Sequence, residues 1–248
     1  CAMGKNGTEV AKGAADMILM DDNFATIVEA VREGRGIYEN IRKAVHFLLS
    51  SNIGEIMTIF VAMCFGWATP LLPIQLLWVN LVTDSLPAIA LGVDPADADS
   101  MEQPPRRENS LFSDGMVSRI ALEGAMIGML ALLAFGIGHI YFDEERAYIT
   151  GRTMAFAVLS LSQLIHAFNM RSEHSLFRIS PLGNPMLLLA FFIGCLMQIG
   201  VIMVLPLAEI FKVCPLNGTE WLIVGALALT PLPVVELEKL CDRRRRKK

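Results

Sequence analysis

The chain has 248 residues, of which 54% are hydrophobic and 19% charged, and its mean hydropathy is +0.49. Soluble domains average about 45–50% apolar residues with charge spread throughout; here long apolar runs separate clusters of charge, which argues against an ordinary soluble domain and for a polytopic membrane protein. The formal net charge of −4 decides little, because what matters in such a protein is where the charges lie, and nucleic acid is not an expected partner.

Residues 1–23 read as soluble α/β. Cys1–Ala15 has no apolar core and carries mixed charge, so no signal peptide is expected there, and the chain is expected to begin inside a domain. Thr8–Ala15 suits a short helix, and Met17–Met20, an apolar run bounded by acids, suits a buried strand. From Phe24 onward apolar residues recur at helical spacing through Val45, and Val45–Trp67 is apolar enough to span a bilayer, which takes about 20 residues. Phe24–Trp67 is therefore expected to be one helix about 65 Å long, a cytosolic stalk over 24–44 and a membrane span over 45–67. Gly34 and Gly36 should weaken it locally.

Further spans are expected near 72–91, 117–140, 153–169, 186–205 and 220–237, the last capped by Thr219, which makes six in a transmembrane region over 45–238. Residues 239–248 form a basic tail. Arg32, Arg35, Arg42 and Lys43, then Arg106, Arg107 and Arg119, then Arg171 and Arg178, then Arg243–Lys248 all fall on one side of these spans, so both ends are expected in the cytosol. The five cysteines show no C-x-x-C pairing and should be free thiols, Cys195 and Cys214 being the one pair for which a disulfide is conceivable. Of two N-x-T sequons, Asn6 falls on the cytosolic side and Asn217 on the far side.

Ionisable residues deep in a span are costly and mark function. Two carboxylates stand out, Glu55 in the first span and Asp84 in the second, whereas Glu123, Glu220 and Glu236 lie nearer span ends, where water is expected to reach them. Asn52 precedes Glu55 by three residues, and Asn80, Thr83 and Asp84 are related by i, i+3 and i+4, so each set shares a helix face. All five offer oxygen and none offers sulfur, which suits a hard cation such as calcium, although sodium and potassium also accept oxygen. Pro87 lacks an N–H, so the carbonyl of Thr83 loses its intrahelical partner and the helix should loosen beside Thr83 and Asp84.

At these residues the chain resembles the P-type cation-transporting ATPases, most closely the type II calcium pumps of sarco/endoplasmic-reticulum kind and their bacterial relatives. Ser51-Asn52-Ile53-Gly54-Glu55 is similar to the family's fifth transmembrane helix, and the run from Gln75 to Pro87 to its sixth. Gly7–Lys12 and Asp21–Phe24 resemble the end of the phosphorylation domain, and Asp94–Arg107 the cytosolic loop that docks on it. The resemblance implies that Asn52, Glu55, Asn80, Thr83 and Asp84 are cation ligands. Gln163 stands where the reticulum pumps carry a glutamate in the eighth helix, which leaves one or two ions per cycle open. His166, one turn from Gln163, reads either as packing or as a group that titrates near neutral pH in proton counter-transport.

The family's D-K-T-G and T-G-D-G-x-N-D motifs do not occur in the chain, so no catalytic residue is named and the chain is expected not to hydrolyse ATP by itself. The resemblance implies a transported calcium ion, with ATP and magnesium bound outside this chain in the complete protein. It also implies the lipid bilayer and the pump's N-terminal part as partners, and the plasma membrane as location if the source is bacterial. The alternatives are a pump for manganese or sodium, and an ATP-independent channel or secondary transporter.

Overall fold

In the computed structural model, residues 1–95, 101–102, 111–112, 115–141, 147–172 and 183–246 are described. Most of the docking-like loop expected over 94–107 lies outside them. Residues 1–22 form a small α/β unit. Strands β1 (Ala2–Met3) and β2 (Ile18–Leu19) pair in parallel with Ala2 opposite Ile18, and α1 (Glu9–Ala14) makes the crossover. Thr8 caps α1 by accepting from the Ala11 amide at 3.2 Å. Asp22, whose φ is +54°, closes the unit by accepting from the amides of Lys5 and Asn6 at 2.9 and 3.0 Å.

Helix α2 runs unbroken from Ala25 to Cys64, 40 residues or about 60 Å. Its sequence contains no proline, and neither Gly34 nor Gly36 interrupts it. It stops three residues short of Trp67 because Gly66 takes a left-handed φ of +65°, letting the Trp67 amide turn back to the carbonyl of Ala62 at 2.9 Å. The second apolar segment is three pieces in line: α3 (Pro73–Trp78), a π-helical turn over Val79–Asp84, and α4 (Ser85–Gly92). The loosening expected from Pro87 therefore takes the form of a π segment, which begins one turn earlier than the lost bond alone requires.

Helices α5 (Met116–Tyr141), α6 (Ala147–Asn169) and α7 (Pro185–Met203) follow, then a short α8 (Leu205–Phe211), α9 (Gly218–Leu229) and α10 (Pro231–Arg246). The α9/α10 junction falls at Thr230 beside Pro231 and Pro233, which withhold two backbone donors. The cap of α9 is Asn217, not Thr219: the Asn217 amide donates to the Glu220 carboxylate at 2.6 Å in a capping-box arrangement.

Among the described residues, five helical stretches are long and apolar enough to cross a membrane: Ala25–Cys64, Pro73–Gly92, Met116–Ile140, Pro185–Met203 and Gly218–Cys241. Their outer faces carry exposed large apolar side chains such as Phe60, Leu81, Leu122, Phe192, Leu196 and Leu222, which suits contact with lipid. The sixth expected span is α6, a 23-residue helix that falls short of that apolarity because it carries Arg152, Gln163, His166 and Asn169. The packing gives the reason. Helix α6 touches α2, the π segment, α4, α5, α7, α9 and α10, so it lies inside the bundle and presents no broad face to lipid. Met154 through Leu159 are all fully buried.

Helices α2 and α5 meet through small residues. Gly124 and Gly128 of α5 are four apart and face Gly54 of α2; a methyl group at Gly124 would lie 2.7 Å from the carbonyl oxygen of Ser50. Such close backbone approach between membrane helices needs glycine. All five cysteines are free, Cys195 and Cys214 included.

Candidate cation site

The polar residues singled out in the first two apolar segments converge where α2, the π segment and α6 meet. From α2, Glu55 is 6% exposed, and from the π segment Thr83 and Asp84 are 0% and 1% exposed. The Asn80 amide donates to Glu55 Oε2 at 2.9 Å and to the Leu76 carbonyl at 3.0 Å, tying the two segments together. Thr83 Oγ1 donates to the Val79 carbonyl at 2.9 Å, and Ser85 Oγ to the Asn80 carbonyl five residues back, also at 2.9 Å. The π turn thus spends hydroxyls on its own carbonyls and carries Thr83 and Asp84 to the interior side by side.

Gln163 arrives from α6, fully buried, and its Nε2 lies 3.4 Å from the Ser51 carbonyl of α2. Ser51, also fully buried, adjoins Asp84, and Gln163 adjoins Glu55. Asn52 stands at the edge, half-buried, with its amide nitrogen given to the Leu48 carbonyl at 2.7 Å. Asn80 is exposed on its other side. The structure therefore gathers Glu55, Asn80, Thr83, Asp84 and Gln163 at one place, with Asn52 peripheral.

Five buried oxygens there have no hydrogen-bond partner: Glu55 Oε1, both Asp84 carboxylate oxygens, Gln163 Oε1 and Ser51 Oγ. Buried polar atoms are nearly always satisfied, and an unpaired buried carboxylate costs several kcal/mol. Five such oxygens lie within one cluster of oxygen-bearing side chains. Among the described residues no three His, Cys, Asp or Glu side chains are grouped as a metal site, so any cation held here must draw on amide, hydroxyl and main-chain oxygens as well as the two carboxylates. Residues 68–241 match the family model for the C-terminus of cation transporting ATPases.

The chain belongs to the cation-transporting P-type ATPases.

Within this family the chain is 49% identical to calcium-transporting ATPase 1 of Bacillus cereus, over 98% of its own length and 29% of the relative's. It is 44% identical to a calcium-transporting ATPase of Bacillus subtilis, over 93% of the chain and 26% of the relative. With the endoplasmic-reticulum-type calcium-transporting ATPase 4 of Arabidopsis thaliana it shares 34% identity, over 98% and 28%. The chain thus spans between a quarter and three tenths of the curated relatives named here, and it is a C-terminal, membrane-embedded region of an ATPase of this family.

Three features of this ATPase region escaped sequence reasoning. Ser51 sits four residues before Glu55, and that spacing was a usable signal. Glu123, expected near water, is 4% exposed, and its carboxylate lies against His46 and His166. Glu220 and Glu236, at 5% and 9% exposure, are likewise buried, Glu220 because its carboxylate caps α9.

Proposed function

We propose that this chain is the cation-binding membrane part of an ATP-driven calcium pump. The observation that carries the reading is the set of five unpartnered oxygens on Ser51, Glu55, Asp84 and Gln163. A divalent ion supplies what two buried carboxylates lack, and calcium tolerates the irregular mixture of carboxylate, amide and hydroxyl oxygens that α2, the π segment and α6 present. The relatives named above are calcium-transporting ATPases, which favours calcium over manganese or sodium.

In this reading Glu55 and Asp84 carry the charge, while Asn80, Thr83, Gln163 and Asn52 contribute neutral oxygens. Thr83 needs no rearrangement to do so, since its hydroxyl already donates its proton to Val79 and keeps a lone pair free. Asn80 must turn its carbonyl oxygen toward the ion and give up its bond to Glu55. Its exposed side and that of Asn52 are where further helices of a complete pump pack. ATP and magnesium act on a part of the complete protein outside this chain, and α2 carries the resulting movement to Asn52 and Glu55. The chain alone does not hydrolyse ATP, and both of its ends face the cytosol, in the plasma membrane of a bacterial source. Protons replace the departing ion on the carboxylates, since bare charges there are costly.

The test is cation-dependent phosphorylation of the complete ATPase by ATP, with Asp84→Asn beside the wild type. Phosphoenzyme that forms with micromolar calcium and is lost in Asp84→Asn supports the reading. Formation with sodium or manganese instead overturns the choice of ion; equal behaviour of Asp84→Asn and wild type overturns the site.

A further inference from the structure

A second cluster of ionisable groups lies on the same helices, away from the cation site. His46 of α2, Glu123 of α5 and His166 of α6 meet at one atom: His46 Nε2 is 2.7 Å from Glu123 Oε2, and His166 Nε2 is 3.4 Å from the same oxygen. The His166 side chain is fully buried, that of Glu123 is 4% exposed and that of His46 14%. Apart from these close contacts, His46 Nε2, both ring nitrogens of His166 and Glu123 Oε2 itself have no hydrogen-bond partner. Along α2, Glu55 is nine residues beyond His46, about 13 Å; along α6, Gln163 is one turn from His166.

The charged groups on the elements that pack around this cluster are otherwise engaged or distant. Lys43 of α2 pairs with Asp94 at 3.3 Å, and Lys239 of α10 donates to the Asn169 carbonyl at 2.7 Å. Arg119 of α5 and Glu236 of α10 have partners of their own. Arg152 of α6 sits over the Tyr148 ring at its other end. Glu220 of α9 is held by its capping bond, and Asp84 lies in the cation site beside α4. The carboxylate of Glu123 is contacted by the two imidazoles, from two different helices.

We propose that His46, Glu123 and His166 form a proton-binding site, separate from the cation site, that holds one exchangeable proton. With both imidazoles neutral, the cluster would keep a net negative charge inside an apolar bundle. One proton on either imidazole cancels that charge and turns the carboxylate contact into an ion pair. Two protons would leave a net positive charge, which burial opposes equally. Single occupancy is thus the state the surroundings favour.

The experiment is histidine-selective 15N solid-state NMR of the complete ATPase in proteoliposomes at pH 7, with His46→Gln and His166→Gln assigning the signals. One charged imidazole in the wild type, lost in Glu123→Gln, is the expected result; two neutral imidazoles in the wild type overturn the proposal. Should Glu123→Gln not yield folded protein, each single histidine variant must keep one charged imidazole, because one proton still neutralises the carboxylate, and a neutral remaining imidazole in both variants overturns it. Phosphorylation indifferent to every cation would sink the proposed function and leave the NMR result standing, so the two failures are distinguishable.

Discussion

Substituting alanine at Gly124 tests the packing of α5 against α2, the helix that carries Asn52 and Glu55. The added methyl would lie 2.7 Å from the Ser50 carbonyl oxygen and 2.6 Å from Ile53 Cγ2, where ordinary contact begins at 3.4 Å, so α2 and α5 must part by roughly 0.7 Å. The obstructing oxygen is main chain and cannot swing aside. Overpacking of this kind costs about 1–3 kcal/mol. For a protein of this size each kcal/mol moves the unfolding midpoint by about 2–4 °C, which predicts a fall of about 2–12 °C. Gly136, on the same helix, supplies the control: a methyl there meets nothing within 4 Å. Gly136→Ala should leave the midpoint unchanged or raise it by about 2–4 °C through helix propensity alone. The assay is thermal unfolding of the purified protein in one detergent, followed by loss of the monodisperse peak. Equal shifts for the two variants, or a Gly124→Ala midpoint at or above wild type, would refute the claim that α2 and α5 are held by backbone contact.

Asp94 is a second point of mechanical weight. Its carboxylate takes Lys43 at 3.3 Å, Arg171 at 3.3 Å and the Asn184 amide at 2.8 Å, and its carbonyl takes the Asn40 amide at 2.6 Å. Asp94→Ala takes this carboxylate away from Lys43 and Arg171, both largely buried, and should cost about 3 kcal/mol; Lys43→Met should cost less than half as much, and equal midpoints would contradict this ranking. At the other end of the chain, the Asp22 carboxyl is held below its ordinary value of 3.8, chiefly by the backbone hydrogen bond from Lys5. A lowered value means that its contribution is complete above pH 3.8 and is lost as pH falls through the folded-state value below it. Amide hydrogen exchange at Lys5 and Asn6 should therefore accelerate below pH 3.8 relative to a pH-matched Asp22→Asn protein; parallel profiles would show that the carboxylate does not hold that turn.

Much of the candidate site's clustering was legible because carboxylates in apolar runs are rare. Glu55 and Asp84 announced themselves against their surroundings, and their i±3 and i±4 neighbours came with them. Pro87 gave notice of the irregular backbone as well, since a missing donor is a property of the sequence. The depth of Glu123 was not legible. Counting residues from the end of a span places it near water, but its burial depends on His46 and His166 arriving from two other helices, and no spacing within α5 encodes that. The same holds for α6, whose polar residues lower its apolarity below that of a lipid-facing helix; they are tolerated because seven other segments surround it. The cap of α9 shows a smaller version of the problem: Asn217 and Thr219 both fit a capping position, and the carboxylate of Glu220 three residues after Asn217 decides between them.

The uninterrupted course of α2 has a consequence of scale. At about 60 Å it is roughly twice the thickness of a bilayer's hydrocarbon core, so only about half of it can be immersed. A stiff rod pivoted where it leaves the lipid is a lever with arms of about 30 Å. A tilt of about 10° then sweeps the outer end through about 5 Å, the pitch of one helical turn, and displaces each residue of the inner arm in proportion to its distance from the fulcrum. Asn52 and Glu55 lie on that inner arm, so an angular change too small to disturb any helical hydrogen bond still shifts Glu55 Oε1 relative to Asp84 by a distance that an oxygen-coordinated ion would feel.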